Sequence, residues 1–196
     1  MRKVRIILWG AVAAALIAFA ALYLWQRQAN PPAAAAASLG FGGPFTLVGD
    51  NGQPYPSSQL AGRPYAMFFG FTHCPDVCPT TLARLVRLRR QMGGDDAFRI
   101  VFVTVDPERD GPAEVGRYAA LFDAPVIGLT GSPAQIAQVK KQFGIYSEKA
   151  GTGDSYTVDH TATVLLFDRK GEFQSTISQE EGDAAALAKL QRLTKT

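Results

Sequence analysis

Tyr65-Ala66-Met67-Phe68-Phe69-Gly70-Phe71-Thr72-His73-Cys74-Pro75-Asp76-Val77-Cys78-Pro79 carries a strand, a cysteine loop and a helix start in one stretch. Residues 65–71 are a continuous apolar run, which fits a strand buried on both faces. A helix is expected from about Pro79 to Met92. Leu82, Leu85, Val86 and Met92 mark its core face, and Arg84, Arg87 and Arg90 a solvated one. Gly93-Gly94 ends it.

Working outward, Arg99 to Val105 reads as a second buried strand, and Pro112 starts a helix running to Phe122. Val126 to Leu129 is a short strand, and Ser132-Pro133 caps a helix over about 134–143. Ile145 to Lys149 and Tyr156 to Val158 look like a hairpin excursion. Ala162 to Phe167 and Glu172 to Ile177 form a strand–turn–strand, and Ala184 to Leu193 a last helix. Upstream, Phe45 to Val48 and Gln53 to Tyr55 suggest a hairpin whose second arm, held by Pro54 and Pro56, is an edge. Alternating strands and helices followed by an antiparallel hairpin and a helix predict an α/β, thioredoxin-like fold with a parallel core.

Ile6 to Trp25 is a run of 20 residues without a charge, enough to span roughly 30 Å as a helix. Arg2, Lys3 and Arg5 precede it and Arg27 follows, which orients the N-terminus to the cytoplasm. Its length favours an uncleaved anchor over a signal peptide, whose apolar region runs about 7–15 residues. The expected division is a membrane anchor over 1–28, a flexible Ala- and Pro-rich tether over 29–42, and a thioredoxin-like domain over 43–196. With no transit peptide ahead of the anchor, the expected location is a bacterial inner membrane, single-pass, with the domain in the periplasm. Taking the four basic residues of the first 30 from the 20 in the chain leaves 16 against 17 acidic. No basic face is implied, which argues against nucleic acid as a partner.

Thiols at a helix start feel unpaired N–H groups and the positive dipole end, which favour thiolate. The spacing C-x-x-x-C is one residue wider than in ordinary thioredoxins and leaves room for an ion between the sulfurs. A plain structural disulfide would close a very short loop and stabilise little. The chain has two histidines, His73 and His160. His160 precedes the 162–167 strand, where thioredoxin-like folds carry a cis-proline facing the cysteines. Pro133 is the last proline, so here a histidine stands in that region. Two sulfurs and an imidazole suit Cu(I). Cu(II) is open with water, Asp159 or Asp76 in a fourth position, and zinc is open too. His73 is read as orienting the loop, Asp76 as a helix-starting acid, and Asp106-Pro107 as the brace of the cysteine turn.

Three motifs, 70–79 (Gly-Phe-Thr-His-Cys-Pro-Asp-Val-Cys-Pro), 104–110 (Thr-Val-Asp-Pro-Glu-Arg-Asp) and 158–161 (Val-Asp-His-Thr), resemble the signatures of the Sco/SenC family over most of residues 43–180. Gly111 departs from it, standing where a threonine or similar residue is expected. The resemblance implies a copper metallochaperone serving the CuA centre of cytochrome c oxidase subunit II, with Cys74, Cys78 and His160 as copper ligands. The alternative is a thiol–disulfide reductase acting on the partner's copper-site cysteines, Cys74 attacking and Cys78 resolving. Another copper chaperone or a thioredoxin-like reductant are further partners left open. A peroxide-reducing thiol enzyme would need Thr and Arg activators beside one cysteine, a set the sequence does not offer.

Overall fold

Three apolar runs lie side by side as the parallel middle of a mixed sheet in the computed structural model, which describes Trp9 and residues 41–195. The expected anchor (1–28) and tether (29–42) lie outside the described residues, Trp9, Phe41 and Gly42 excepted. Among the described residues no helix is long and apolar enough to cross a membrane.

In chain order the elements are β1 (Thr46–Gly49), β2 (Pro54–Pro56), β3 (Tyr65–Gly70), α1 (Val77–Gln91), β4 (Arg99–Thr104), α2 (Pro112–Ala120), β5 (Val126–Thr130) and α3 (Pro133–Gln142). Then come β6 (Ser147–Ala150), β7 (Thr157–His160), β8 (Val164–Phe167), β9 (Phe173–Ile177) and α4 (Asp183–Leu193). The main sheet runs β2-β1-β5-β4-β3-β8-β9, with β3, β4 and β5 parallel and β8 and β9 added antiparallel. This is the expected thioredoxin-like α/β arrangement. Every residue of β3 and β8 is buried, which is why both read as unbroken apolar runs. The N-terminal hairpin does more than expected: β1 also pairs antiparallel with β5, so the hairpin closes one edge of the sheet, and β2 with its two prolines is the rim.

Three local expectations need correction. Helix α1 begins at Val77 rather than Pro79, so Cys78 sits inside its first turn. The expected hairpin excursion is present as the separate β6–β7 ribbon, but its second arm does not end at Val158: β7 runs on to His160. The arginines of α1 are not a freely solvated face. Arg84 and Arg87 both pair with Asp183, and Arg84 also donates to the Ser178 and Glu181 carbonyls, fastening the start of α4 to α1. Arg89, four residues after Leu85 on the core stripe, is buried, donates to the Pro125 carbonyl at 2.9 Å and pairs with Asp95.

Candidate metal centre

The carboxyl ends of β3 and β4 place the cysteine loop at the mouth of the parallel sheet, where such folds present their sites. Gly70 ends β3 directly beneath the start of α1. A Cβ built there would stand 2.8 Å from Cys78 Sγ and 3.1 Å from the Phe102 and Phe68 rings. Only a residue without a side chain lets the buried sulfur reach this position. Cys74 is the more exposed of the two free thiols, and Cys78 is fully buried. The backbone N–H of Cys78 donates to Cys74 Sγ at 3.4 Å, a helix-start N–H turned onto the outer sulfur.

His160 arrives from the other side. Its Nε2 lies 3.5 Å from Cys78 Sγ, across 82 residues of sequence. Its Nδ1 is 3.0 Å from the Thr161 carbonyl. A carbonyl only accepts, so this contact assigns the proton to Nδ1 and leaves the Nε2 lone pair facing the sulfurs. Edges of Phe68 and Phe71 meet the imidazole at 6.1 and 5.8 Å between centroids. Sγ of Cys74, Sγ of Cys78 and one ring nitrogen of His160 all lie within 4.8 Å of one another. Cys74 and His160 line a depression of about 260 Å³, and Cys78 lies buried behind them. Asp76 and Asp159 line the same depression, both exposed, but neither carboxylate belongs to that group of three.

Burial lowers the His160 pKa, against a smaller opposing effect of the Thr161 hydrogen bond, and favours the neutral ring. Burial also pushes the Cys78 thiol well above the usual thiol range, with its hydrogen bond to Cys74 adding to the rise. The helix start therefore does not deliver the expected thiolate at Cys78 in the metal-free protein; desolvation outweighs it. A cation between the sulfurs would replace that proton and remove the penalty.

The brace of the cysteine turn is Asp110, not Asp106. The buried Asp110 carboxylate accepts from the Thr72 backbone N–H (2.9 Å), the Thr72 hydroxyl (2.6 Å) and the Thr104 hydroxyl (2.6 Å). His73, half exposed, turns its Nδ1 toward Thr72 Oγ1 (3.1 Å) and Asp110 (3.6 Å), in keeping with a loop-orienting role. Asp106 instead accepts from Arg109 Nε (2.5 Å) and the Tyr156 hydroxyl (2.7 Å), four residues before His160. Sequence reasoning missed Asp110, Arg109 and Tyr156 as supporting residues. The first two lay inside a motif already singled out, whereas Tyr156 carried no local signal. Asp76 stands at the start of α1 as expected, yet its side chain caps no backbone N–H and accepts from the Thr80 hydroxyl at 3.2 Å.

A family model described as SCO1/SenC matches residues 33–195. The mouse mitochondrial SCO2 homolog is 37% identical over 155 residues, covering 76% of this chain and 60% of the relative. The chain spans about half the length of the curated relatives it matches. Among solved structures, Bradyrhizobium japonicum ScoI with copper bound superimposes with a TM-score of 0.71 at 43% identity, covering 79% of this chain and 99% of that one. Arabidopsis thaliana ScoI with copper bound gives a TM-score of 0.71 at 33% identity, covering 78% and 99%. With the thioredoxin-like sheet, the cysteine turn and the facing histidine in place, these matches establish that the chain belongs to the SCO1/SenC family.

Proposed function

We propose that this protein is a copper metallochaperone that holds Cu(I) through Cys74, Cys78 and His160. The observation that carries the reading is the convergence of two sulfurs and one imidazole nitrogen within 4.8 Å at the edge of an open depression. Two soft sulfurs and a borderline nitrogen in a three-donor set suit Cu(I). The part-exposed Cys74 gives an incoming thiolate a first point of exchange, after which Cys78 and His160 release in turn. Relatives solved with copper bound support the choice of metal. The destination, the CuA centre of cytochrome c oxidase subunit II, rests on family resemblance. The placement of the domain in the periplasm, held by a single membrane span over residues 6–25, rests on that uncharged run and on the basic residues that precede it.

A reductase role on the partner's cysteines is the second reading, favoured by the Cys78 N–H bond to the outer sulfur. In it the Cys74 thiolate attacks the partner disulfide and releases one thiolate. Cys78 then attacks Cys74 Sγ, yielding the partner's second thiol and a Cys74–Cys78 disulfide, which a thioredoxin-like dithiol reduces again.

Titrating the reduced full chain with Cu(I) against a chromophoric chelator tests the first reading. It requires one copper per chain and a loss of affinity of at least tenfold in His160→Ala. Unchanged affinity in that variant, with strong dithiol activity in wild type, transfers the function to the reductase.

A further inference from the structure

The ribbon that carries His160 has no strand pairing with the main sheet. Something other than a β-ladder must therefore fix the imidazole against the sulfurs. On β7 and the residue before it, Tyr156, Val158 and His160 alternate with exposed Thr157 and Asp159, so the three share one face. Val158 is buried, His160 meets the thiols, and Tyr156 meets Arg109.

Arg109 is gripped from several sides. Its guanidinium carbon lies 3.6 Å from the centre of the Tyr156 ring, and Nη1 donates to the Tyr156 carbonyl at 2.9 Å. Nε donates to Asp106, whose other oxygen accepts from the Tyr156 hydroxyl. The same guanidinium lies 5.9 Å from the Phe71 ring, which in turn meets His160 edge-on at 5.8 Å. One cation thus touches both the ribbon and the cysteine loop. Nη2 is hidden from solvent without a hydrogen-bond partner, so the group is turned inward and not toward a docking partner. The ionic tie of the ribbon to the loop after β4, Lys149–Glu108, is exposed on both sides and is worth little. The Asp106 side chain in the Arg109 pair is fully shielded.

We propose that Arg109 is a positioning residue of the metal centre: clamped between Tyr156, Asp106 and Phe71, it sets the place of His160 and acts on bound metal only through that imidazole. This rests on His160 being a ligand, as proposed above. Supports that orient a ligand from outside typically change metal affinity by about 10–100-fold when lost. A lysine cannot substitute, because an ammonium neither lies flat on a ring nor spans Asp106 and a carbonyl with a rigid fork.

The test uses the reduced full chain as Arg109→Gln, Arg109→Lys and the milder Tyr156→Phe, which keeps the ring and loses the bond to Asp106. In metal-free protein, amide hydrogen exchange in β6 and β7 should rise at least about tenfold in Arg109→Gln while β3 and β4 stay protected. Cu(I) affinity should fall about tenfold in both Arg109 variants and less in Tyr156→Phe. The double variant Arg109→Gln/His160→Ala should bind no more weakly than His160→Ala alone. Exchange in the ribbon at the wild-type rate, a uniform rise that includes β3 and β4, or losses that add fully in the double variant each overturn the proposal. Weakened binding in His160→Ala with none in Arg109→Gln overturns this inference alone. Wild-type affinity in His160→Ala removes the ligand assignment and this inference with it.

Discussion

Gly70 and Cys78 are packed so closely that the strand end and the helix start share one atom-sized gap: a methyl group on the glycine would lie 2.8 Å from the sulfur. The residue is therefore part of how the sulfur is aimed. Because the two Phe rings at 3.1 Å are themselves buried core, the overlap has no flexible side chain to relieve it.

Gly70→Ala should accordingly destabilise the domain by about 1–3 kcal/mol, the usual range for overpacking a core. It should also weaken copper binding by displacing Cys78 Sγ. Urea unfolding and chelator competition on the same preparation measure both. A variant of wild-type stability and affinity would show that the sulfur has room to move.

Asp110 holds the cysteine turn with three donors and no exposure. Asp110→Asn keeps the volume but replaces one acceptor oxygen with a donor, leaving a Thr72 or Thr104 donor facing an N–H. The cost should be about 2–4 kcal/mol for a buried network losing a charge-assisted bond. Copper affinity should fall as the turn loosens. If the variant loses stability but keeps full affinity, the network serves the fold alone.

How far the sequence spoke for this arrangement differs by residue. β3, β4 and β8 were legible because burial on both faces leaves an apolar run with no alternation. The cysteine turn was legible from its own spacing. The division of labour between Asp106 and Asp110 was not, since both occupy one short motif and only the path of the chain decides which faces Thr72 and which Tyr156. The β6–β7 ribbon was legible as a hairpin excursion, but that its second arm runs on to His160 and brings the imidazole to the sulfurs depends on long-range packing, which periodicity does not encode. Arg89 is different again: its spacing of four and seven residues from Leu85 and Leu82 already placed it on the buried stripe, and its charge disguised it.

Arg89→Leu tests that placement. The buried guanidinium donates to the Pro125 carbonyl and pairs with Asp95, which is itself half exposed and stays hydrated when its partner is lost. The carbonyl is then left unpaired, so a loss of about 2 kcal/mol is expected. Arg89 lies roughly 16 Å along α1 from Cys78, so copper affinity should not change. An affinity change as large as that of Gly70→Ala would mean that α1 transmits strain to its first turn.

The pH dependence of the metal-free, reduced protein follows from the signs of two shifts. His160 is held below its ordinary 6.5 by burial, so on acidification the unfolded chain takes up the proton first. Stability should thus fall as pH drops below about 6.5, levelling where the folded ring also protonates. Cys78 is held above its ordinary 9.0, so the unfolded chain loses that proton first and stability should fall as pH rises past about 9. Glu181, pulled down by its hydrogen bond to Lys189, belongs to a separate window: its contribution is lost only as pH falls below about 4.5. Urea midpoints across pH 4–10 should therefore describe a dome, with the limb near pH 6 flattened in His160→Ala and the alkaline limb flattened in Cys78→Ala. Limbs that persist unchanged in these two variants would mean that other groups govern the titration and that the buried thiol and imidazole are better solvated than the packing around them implies.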